Sequence, residues 1–383
     1  MRREASPVRA DFAEQADRIG FAFAYIDGAP YWDESARYVF TPREIEVLER
    51  ATLELGALFR DLAGRIVGRE ENMARLGVPD HARDAVAASW RRRDPTLYGR
   101  FDFSWNGEGP PKLLEYNADT PTSLFESAVV QWFWLEQMIA SGALPDAADQ
   151  FNSLHERLID RWRLVGQQQF VHFACMTASV EDRGTTAYLE DCARQAGLAT
   201  ALIDMADIGL RADGFVDRSG RAISKLFKLY PWEWMFDEAF GRAAPLKQAR
   251  WIEPAWKMLL SNKGALALAW EMAPGHPNLL PCFFDDDPRA DELGGRFARK
   301  PLLSREGGNV ELHFGAEIVR GPDLAYGGRK IRQLLSPLPE FSGNYPVLGA
   351  WLVGEEPAGL GVREDVSRIT GDRSRFIPHV ILE

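Results

Sequence analysis

Apolar residues recur at helical spacing through the N-terminal part of the chain and then give way to short, continuous runs. Between residues 10 and 92, Leu48, Leu55, Leu58, Phe59, Leu62 and Ile66 fall on one helix face. Thr41-Pro42-Arg43-Glu44 stands ahead of them as a helix start, with Thr41 as N-cap, Pro42 at the first helical position and Glu44 three residues beyond the cap. This segment predicts an N-terminal helical layer. Residues 123–139 predict a further helix, and its Trp132, Phe133 and Trp134 are assigned to core packing because large apolar side chains prefer burial.

Beyond it the pattern alternates. Residues 170–174 read as a buried strand, 184–197 as a helix and 199–203 as a strand, a β-α-β order that predicts an α/β lobe. Residues 225–230 form another strand run, stopped by Pro231. Residues 253–273 read as helical with a break at Ser261-Asn262-Lys263-Gly264, and strands follow at 297–303, 347–353 and 360–363. The class is mixed α/β (α+β). At 383 residues the chain exceeds a single core, which predicts two or three packed lobes. No repeat, low-complexity tract or long linker divides them.

Residues 98–122, YGRFDFSWNGEGPPKLLEYNADTPT, carry the candidate chemistry. Two strand-like runs flank the turn residues Asn106-Gly107 and Gly109-Pro110-Pro111, which predicts a hairpin or close strand pair. Alternate strand residues share a face, so Arg100 with Asp102 and Glu115 with Asn117 form two adjacent polar rows. Two carboxylates, an amide oxygen and a guanidinium then face one space. Hard oxygen ligands suit Mg²⁺ carrying nucleotide phosphates, and a fixed cation suits a phosphoryl oxygen.

Charge and cysteine usage narrow the partners. With 56 acidic and 45 basic residues the net charge is −11, which argues against broad adhesion to nucleic acid or anionic membrane and leaves a small cationic or amine substrate compatible. Cys175, Cys192 and Cys282 lie far apart with no CxxC spacing, so neither a zinc site nor a disulfide framework is indicated. The first twenty residues lack the apolar core of a secretory signal and no later stretch is long and apolar enough to span a bilayer, so a cytoplasmic location is expected. The six histidines form neither an HExxH motif nor a recognisable triad order.

Further cations sit at suggestive points: Lys228 inside an apolar strand, Lys263 beside a glycine, and Lys300 before the glycine-bearing Ser304-Arg305-Glu306-Gly307-Gly308-Asn309 loop. A lysine in an apolar strand needs an anion, and nucleotide phosphates would serve. The loop offers backbone amides for phosphates without being a Walker A sequence. Arg363, near the C-terminal end, adds a second fixed cation. Asp285-Asp286-Asp287 is expected to be a solvated loop and Arg91-Arg92-Arg93 a solvated helix end.

In this order, YGRFDF (98–103), LLEYNADTPTSLFE (113–126), KLYPWEW (228–234), SNK (261–263), KPLLSREGGN (300–309) and GVRED (361–365) resemble the glutathionylspermidine synthase family, in its synthetase-only acid–amine ligase branch. The resemblance implies an ATP-grasp-like multi-lobe domain over residues 11–381, with the helical layer at about 11–95 and no cysteine amidase domain. It implies Asp102, Glu115 and Asn117 as ligands of Mg²⁺, two ions in number, with ATP as co-substrate. Arg100 and Arg363 become the arginines at the transferring phosphate, and Lys228, Lys263, Lys300, Gly307 and Gly308 join Arg100 around the nucleotide. Thr120 and Thr122 stand where the acid substrate is contacted, and Glu181 with Asp182 where an acidic pair holds substrate. The implied reaction joins a small-molecule carboxylate, such as a glutathione-like or peptide acid, to a polyamine or other amine. A non-catalytic MgATP-binding module, or a carboxylate kinase or ATPase without an amine acceptor, stays open as an alternative.

Overall fold

A computed structural model describes residues 1–26 and 28–383. The predicted helix start is a reciprocal capping box: the Thr41 hydroxyl accepts from the Glu44 amide at 3.3 Å and the Glu44 carboxylate accepts from the Thr41 amide at 2.8 Å. The helix Pro42–Val67 that follows buries Leu48, Leu55, Phe59, Leu62 and Ile66. Helices Glu70–Arg75 and Asp80–Arg91 complete the layer. It is not wholly helical, because the strand Ala36–Phe40 pairs antiparallel with Arg2–Ala5 and parallel with His379–Ile381. Its partners lie outside the helical segment, so local periodicity carries no sign of it.

Three sheets position the cleft. A five-stranded antiparallel sheet runs in the order Arg375–Ile377, Glu356–Asp365, Tyr345–Val353, Tyr98–Ser104, Lys112–Asn117. A second antiparallel sheet is ordered Cys282–Phe284, Lys330–Leu334, Arg296–Pro301, Glu311–Phe314, Glu317–Arg320. A parallel sheet, Arg250–Ile252, Lys225–Leu229, Val171–Cys175, Thr200–Asp204, carries the β-α-β unit around the helix Val180–Gln195. Residues 255–272 are helical in pieces, with the break at Asn262 and Lys263 as expected.

Alternation decides which face of the first sheet meets solvent. Phe101 and Phe103 are fully buried and point toward the long helix, where the Phe59 ring lies 5.8 Å from Phe101 and 5.4 Å from Tyr116. Arg100 and Asp102 therefore point the other way. The aromatic run is core only in part: Trp134 is buried, whereas Trp132 and Phe133 are 39% and 38% exposed. The three aspartates at 285–287 form the expected turn, with Asp286 exposed and its two neighbours half-buried, and each is ion-paired. Asp285 pairs with Arg299 and Arg332, Asp286 with Arg329 and Asp287 with Arg289, so each acid has its own cation.

Candidate active site

The predicted hairpin forms. Tyr98–Ser104 and Lys112–Asn117 pair antiparallel with Arg100 opposite Asn117 and Asp102 opposite Glu115. The two polar rows consequently lie side by side and open into a cleft of about 600 Å³ between the two antiparallel sheets. Asp102 sits at its base. Arg100 grips it in a two-pronged pair, Nε to Oδ1 at 2.6 Å and Nη2 to Oδ2 at 2.9 Å, and the Arg363 guanidinium reaches Oδ2 at 3.5 Å. Arg363 arrives from the strand Glu356–Asp365, two strands away in the same sheet. Gly349 lies opposite Asp102 on the intervening strand, and a Cβ there would come within 2.8 Å of the Arg100 side chain. Its missing side chain makes the room in which Arg100 lies.

The predicted metal ligands converge. Asn117 Nδ2 donates to Asp102 Oδ2 at 3.1 Å and to Glu115 Oε1 at 3.2 Å, so one point lies within hydrogen-bonding reach of both carboxylates. Burial works against ionising Glu115, yet Lys263 and Lys300 outweigh it and hold the carboxyl down to about 2. An ionised Glu115, a carboxylate opposite it and an amide whose oxygen turns inward on rotation fit a hard divalent cation that keeps open positions.

Lysines frame the same space. Lys263 pairs with Glu115 at 3.1 Å and donates to the Ser304 carbonyl at 2.6 Å. Lys300 donates to the Leu114 carbonyl at 2.9 Å and to Gln333 Oε1 at 2.8 Å, and burial, opposed by Glu115, lowers its ammonium to about 8. Gly307 lines the cleft with φ +66°, and a Cβ there would meet Ile369 at 2.6 Å and the Thr370 carbonyl at 2.8 Å. Gly308 does not line it; it stands behind the loop against Leu324 and Tyr326. Thr120 and Thr122 also line the cleft.

Lys228 is placed elsewhere. It is fully buried outside the cleft lining and pairs with Asp119 at 2.8 Å, so the anion met by this lysine is a side chain of the protein itself. The structure thereby places Lys228 outside the cleft lining, whereas the nucleotide-contact expectation puts it in the cleft. Glu181 and Asp182 also lie outside the cleft lining, in the first turn of the helix Val180–Gln195. Burial first, then Glu126, Asp182 and Asp372, push the Glu181 carboxyl up to about 8 against the pull of Arg363. Burial raises Asp182 as well, opposed by Arg305. Both therefore stand close enough to the cleft's arginines to interact with them.

Other lining residues escaped the sequence reading. Arg305 and Glu306 lie within the glycine-bearing loop, where attention went to the glycines, and Arg305 donates to Thr120 Oγ1 at 2.8 Å. Gln333 is buried and bridges Lys300 to the Leu113 carbonyl. Nothing local marks it, since its role comes from a strand pairing. Among the described residues no helix is long and apolar enough to cross a membrane.

The chain resembles known proteins along almost its whole length. It is 40% identical to a Haemophilus influenzae protein named as a provisional acid–amine ligase, over 97% of each chain. It is 28% identical to the trypanothione synthetase of Crithidia fasciculata over 84% of this chain and 53% of that one. With the bifunctional glutathionylspermidine synthetase/amidase of Escherichia coli it shares 25% identity, over 90% of this chain and 59% of that one. It thus spans little more than half of these two longer relatives. A glutathione synthetase-like effector of Globodera pallida superposes with a TM-score of 0.58 at 10% identity, covering 97% of this chain and 96% of that one, which shows a shared ATP-grasp-type fold. The family profile described as glutathionylspermidine synthase preATP-grasp matches residues 3–382, and the chain belongs to that family.

Proposed function

We propose that this protein is an ATP-dependent ligase that joins a carboxylic acid to an amine through an acyl phosphate. The observation that carries the reading is the convergence of Arg100 and Arg363 on Asp102, beside Glu115 and Asn117. Asp102, Glu115 and Asn117 would hold Mg²⁺, two ions on this reading, and the metal would supply charge neutralisation at the phosphate oxygens. Lys263 and Lys300 add positive charge on the nucleotide side.

A carboxylate is a poor electrophile toward an amine at neutral pH, so the acid must first be activated. Its oxygen attacks the terminal phosphorus of ATP, the bond to the bridging oxygen breaks and ADP leaves. Arg100 and Arg363 lie where charge accumulates on the transferring group, and such preorganised donors lower the barrier without reorganising. The amine nitrogen then attacks the acyl carbon, the carbon–oxygen bond to phosphate breaks and phosphate departs. Thr120, Thr122 and Arg305 supply donors for the acid. Glu181, Asp182, Glu126 and Asp372 form an acidic side whose ionised form suits a cationic amine and can take its proton. These groups favour an amide-forming enzyme over a kinase, which has no use for an amine-binding side. The identity of the relatives points to a glutathione-like acid and a polyamine as the first substrates to try.

The test is a screen of the purified protein with MgATP against carboxylic acids paired with polyamines, peptides or amino acids, following ADP and amide mass together. Amide formed in step with ADP is the expected outcome. ADP with acid alone and no amide with any amine would identify a kinase or ATPase instead, and MgATP binding without ADP would identify a non-catalytic module.

A further inference from the structure

Asp119 and Lys228 are buried, oppositely charged and absent from the cleft lining, yet every contact they make leads back to it. Asp119 follows Asn117 and Ala118 directly and precedes Thr120. Its carboxylate is shared: Oδ1 accepts from Lys228 Nζ at 2.8 Å and Oδ2 accepts from the Trp232 amide at 3.0 Å. Its own amide, with that of Ala118, donates to Ser261 Oγ at 2.7 and 2.9 Å. Lys228 is 0% exposed and Asp119 1%. Besides Asp119 the ammonium donates to the Tyr230 carbonyl at 2.8 Å and stands 4.7 Å from the Trp232 ring centroid. Neither group lies in the cleft lining.

The residues on either side of this pair close a ring. Glu233 follows Trp232 in the short helix Trp232–Asp237, and its carboxylate accepts from Arg305 Nη2 at 3.3 Å. The Arg305 guanidinium lies 5.7 Å from the Trp234 ring centroid and donates through Nη1 to Thr120 Oγ1 at 2.8 Å. Thr120 is bonded covalently to Asp119. The circuit therefore runs from Asp119 through Trp232 and Glu233 to Arg305, and back through Thr120. Three parts of the chain meet in it: the segment after the metal-ligand strand, the end of the parallel-sheet strand Lys225–Leu229, and the glycine-bearing loop.

We propose that Asp119 and Lys228 are positioning residues that set the acid-side wall of the cleft, fixing Thr120 and Arg305 from behind without touching substrate. A lysine at this point serves better than an apolar residue because the segment after Asn117 leaves a regular strand and must be held by side chains. A buried carboxylate with two fixed donors has one orientation, and its backbone inherits it. The catalytic consequence rests on the proposed ligase reading; the positioning itself does not.

The experiment separates the two. Lys228→Met alone leaves a buried charge without its partner and can unfold the protein, so the informative variant is Asp119→Asn with Lys228→Met, which removes both charges together. Glu233→Ala, which removes the acceptor for Arg305 and opens the ring at a half-buried link, is the companion. Trypsin cleavage after Arg305 is followed by mass spectrometry, alongside cleavage at all other sites and the affinity for MgADP. The expected result is cleavage after Arg305 faster by on the order of fivefold in both variants, other sites unchanged, and MgADP affinity within about twofold of wild type. Wild-type cleavage after Arg305 in the double variant overturns the proposal. So does acceleration spread over all sites, which marks a purely structural pair, and so does a parallel loss of MgADP affinity, which places the effect on the whole cleft. Neither readout needs turnover, so this inference and the ligase reading can fail independently.

Discussion

Arg100 and Asp102 bond to each other along one strand face, and on the proposed reading that bond is what nucleotide and metal reorganise. On the proposed reading, removing Arg100 takes a cation from the transferring phosphate and removing Asp102 takes a ligand from its metal, and either change breaks the buried two-pronged pair. Arg100→Ala and Asp102→Ala are each expected to lower ADP formation by roughly 10²–10³, and near-normal turnover in either folded variant would reject the assignment. Gly349 tests the same place by shape alone. Gly349→Ala puts a methyl group 2.8 Å from Arg100, and the resulting shift of the guanidinium is expected to cost about 10-fold in turnover, since small misplacements are expensive in positioned reactions. Unchanged kinetics in that variant would show that Arg100 has slack. The polar rows were legible from sequence because strand parity is strict and the partners lie on one hairpin. The place of Lys228 was not, because parity says only that a lysine is on one face of an apolar strand. Whether cleft or core covers that face depends on Asp119, more than a hundred residues earlier in the chain.

At the scale of elements, the C-terminal strand His379–Ile381 ties the N-terminal layer to the rest. His379 is fully buried; its Nε2 accepts from the Phe151 amide at 3.1 Å, so its Nδ1 must donate to Gln131 Oε1 at 2.9 Å. Only the neutral ring satisfies both, and burial lowers its pKa to about 3. The sign follows directly. A folded pKa below the unfolded value near 6.5 gives stability that is present above pH 6.5 and is lost as pH falls toward 3, by about 1.4 kcal/mol per unit. Denaturant melts between pH 7.5 and 4 are expected to show that slope, and His379→Gln should flatten it; equal slopes would mean another group dominates. The long capped helix and the strands that carry the site are readable because apolar periodicity, short apolar runs and caps are local signals. The strands Ala36–Phe40 and Lys330–Leu334 are short, and their stability comes from ladders with distant partners.

The whole molecule brings the proposed amine side into being. Glu181 comes from the helix after the first parallel strand, Glu126 from the helix after the hairpin and Asp372 from the loop before the last strands, and they share one field with Arg363. With Glu181 pushed up to about 8, its anionic form grows as pH rises through that value. The specificity for a cationic amine is therefore expected to climb between pH 7 and 8.5 in wild type. Glu181→Gln should remove that climb and lower kcat/KM for the amine by roughly 10-fold or more, while acid-dependent ADP formation persists. An unchanged pH profile in that variant would remove Glu181 from the amine side. The sequence alone determined the helical layer, the hairpin with its four polar side chains in register, and the family, because those features are written in local spacing and in ordered motifs. The tertiary structure alone decided that Arg363 meets Asp102, that Lys228 turns inward to Asp119 and that Arg305 faces the cleft. Each of those is a choice between burial in the core and exposure to the cleft, and it is settled by charges and surfaces that distant segments bring together.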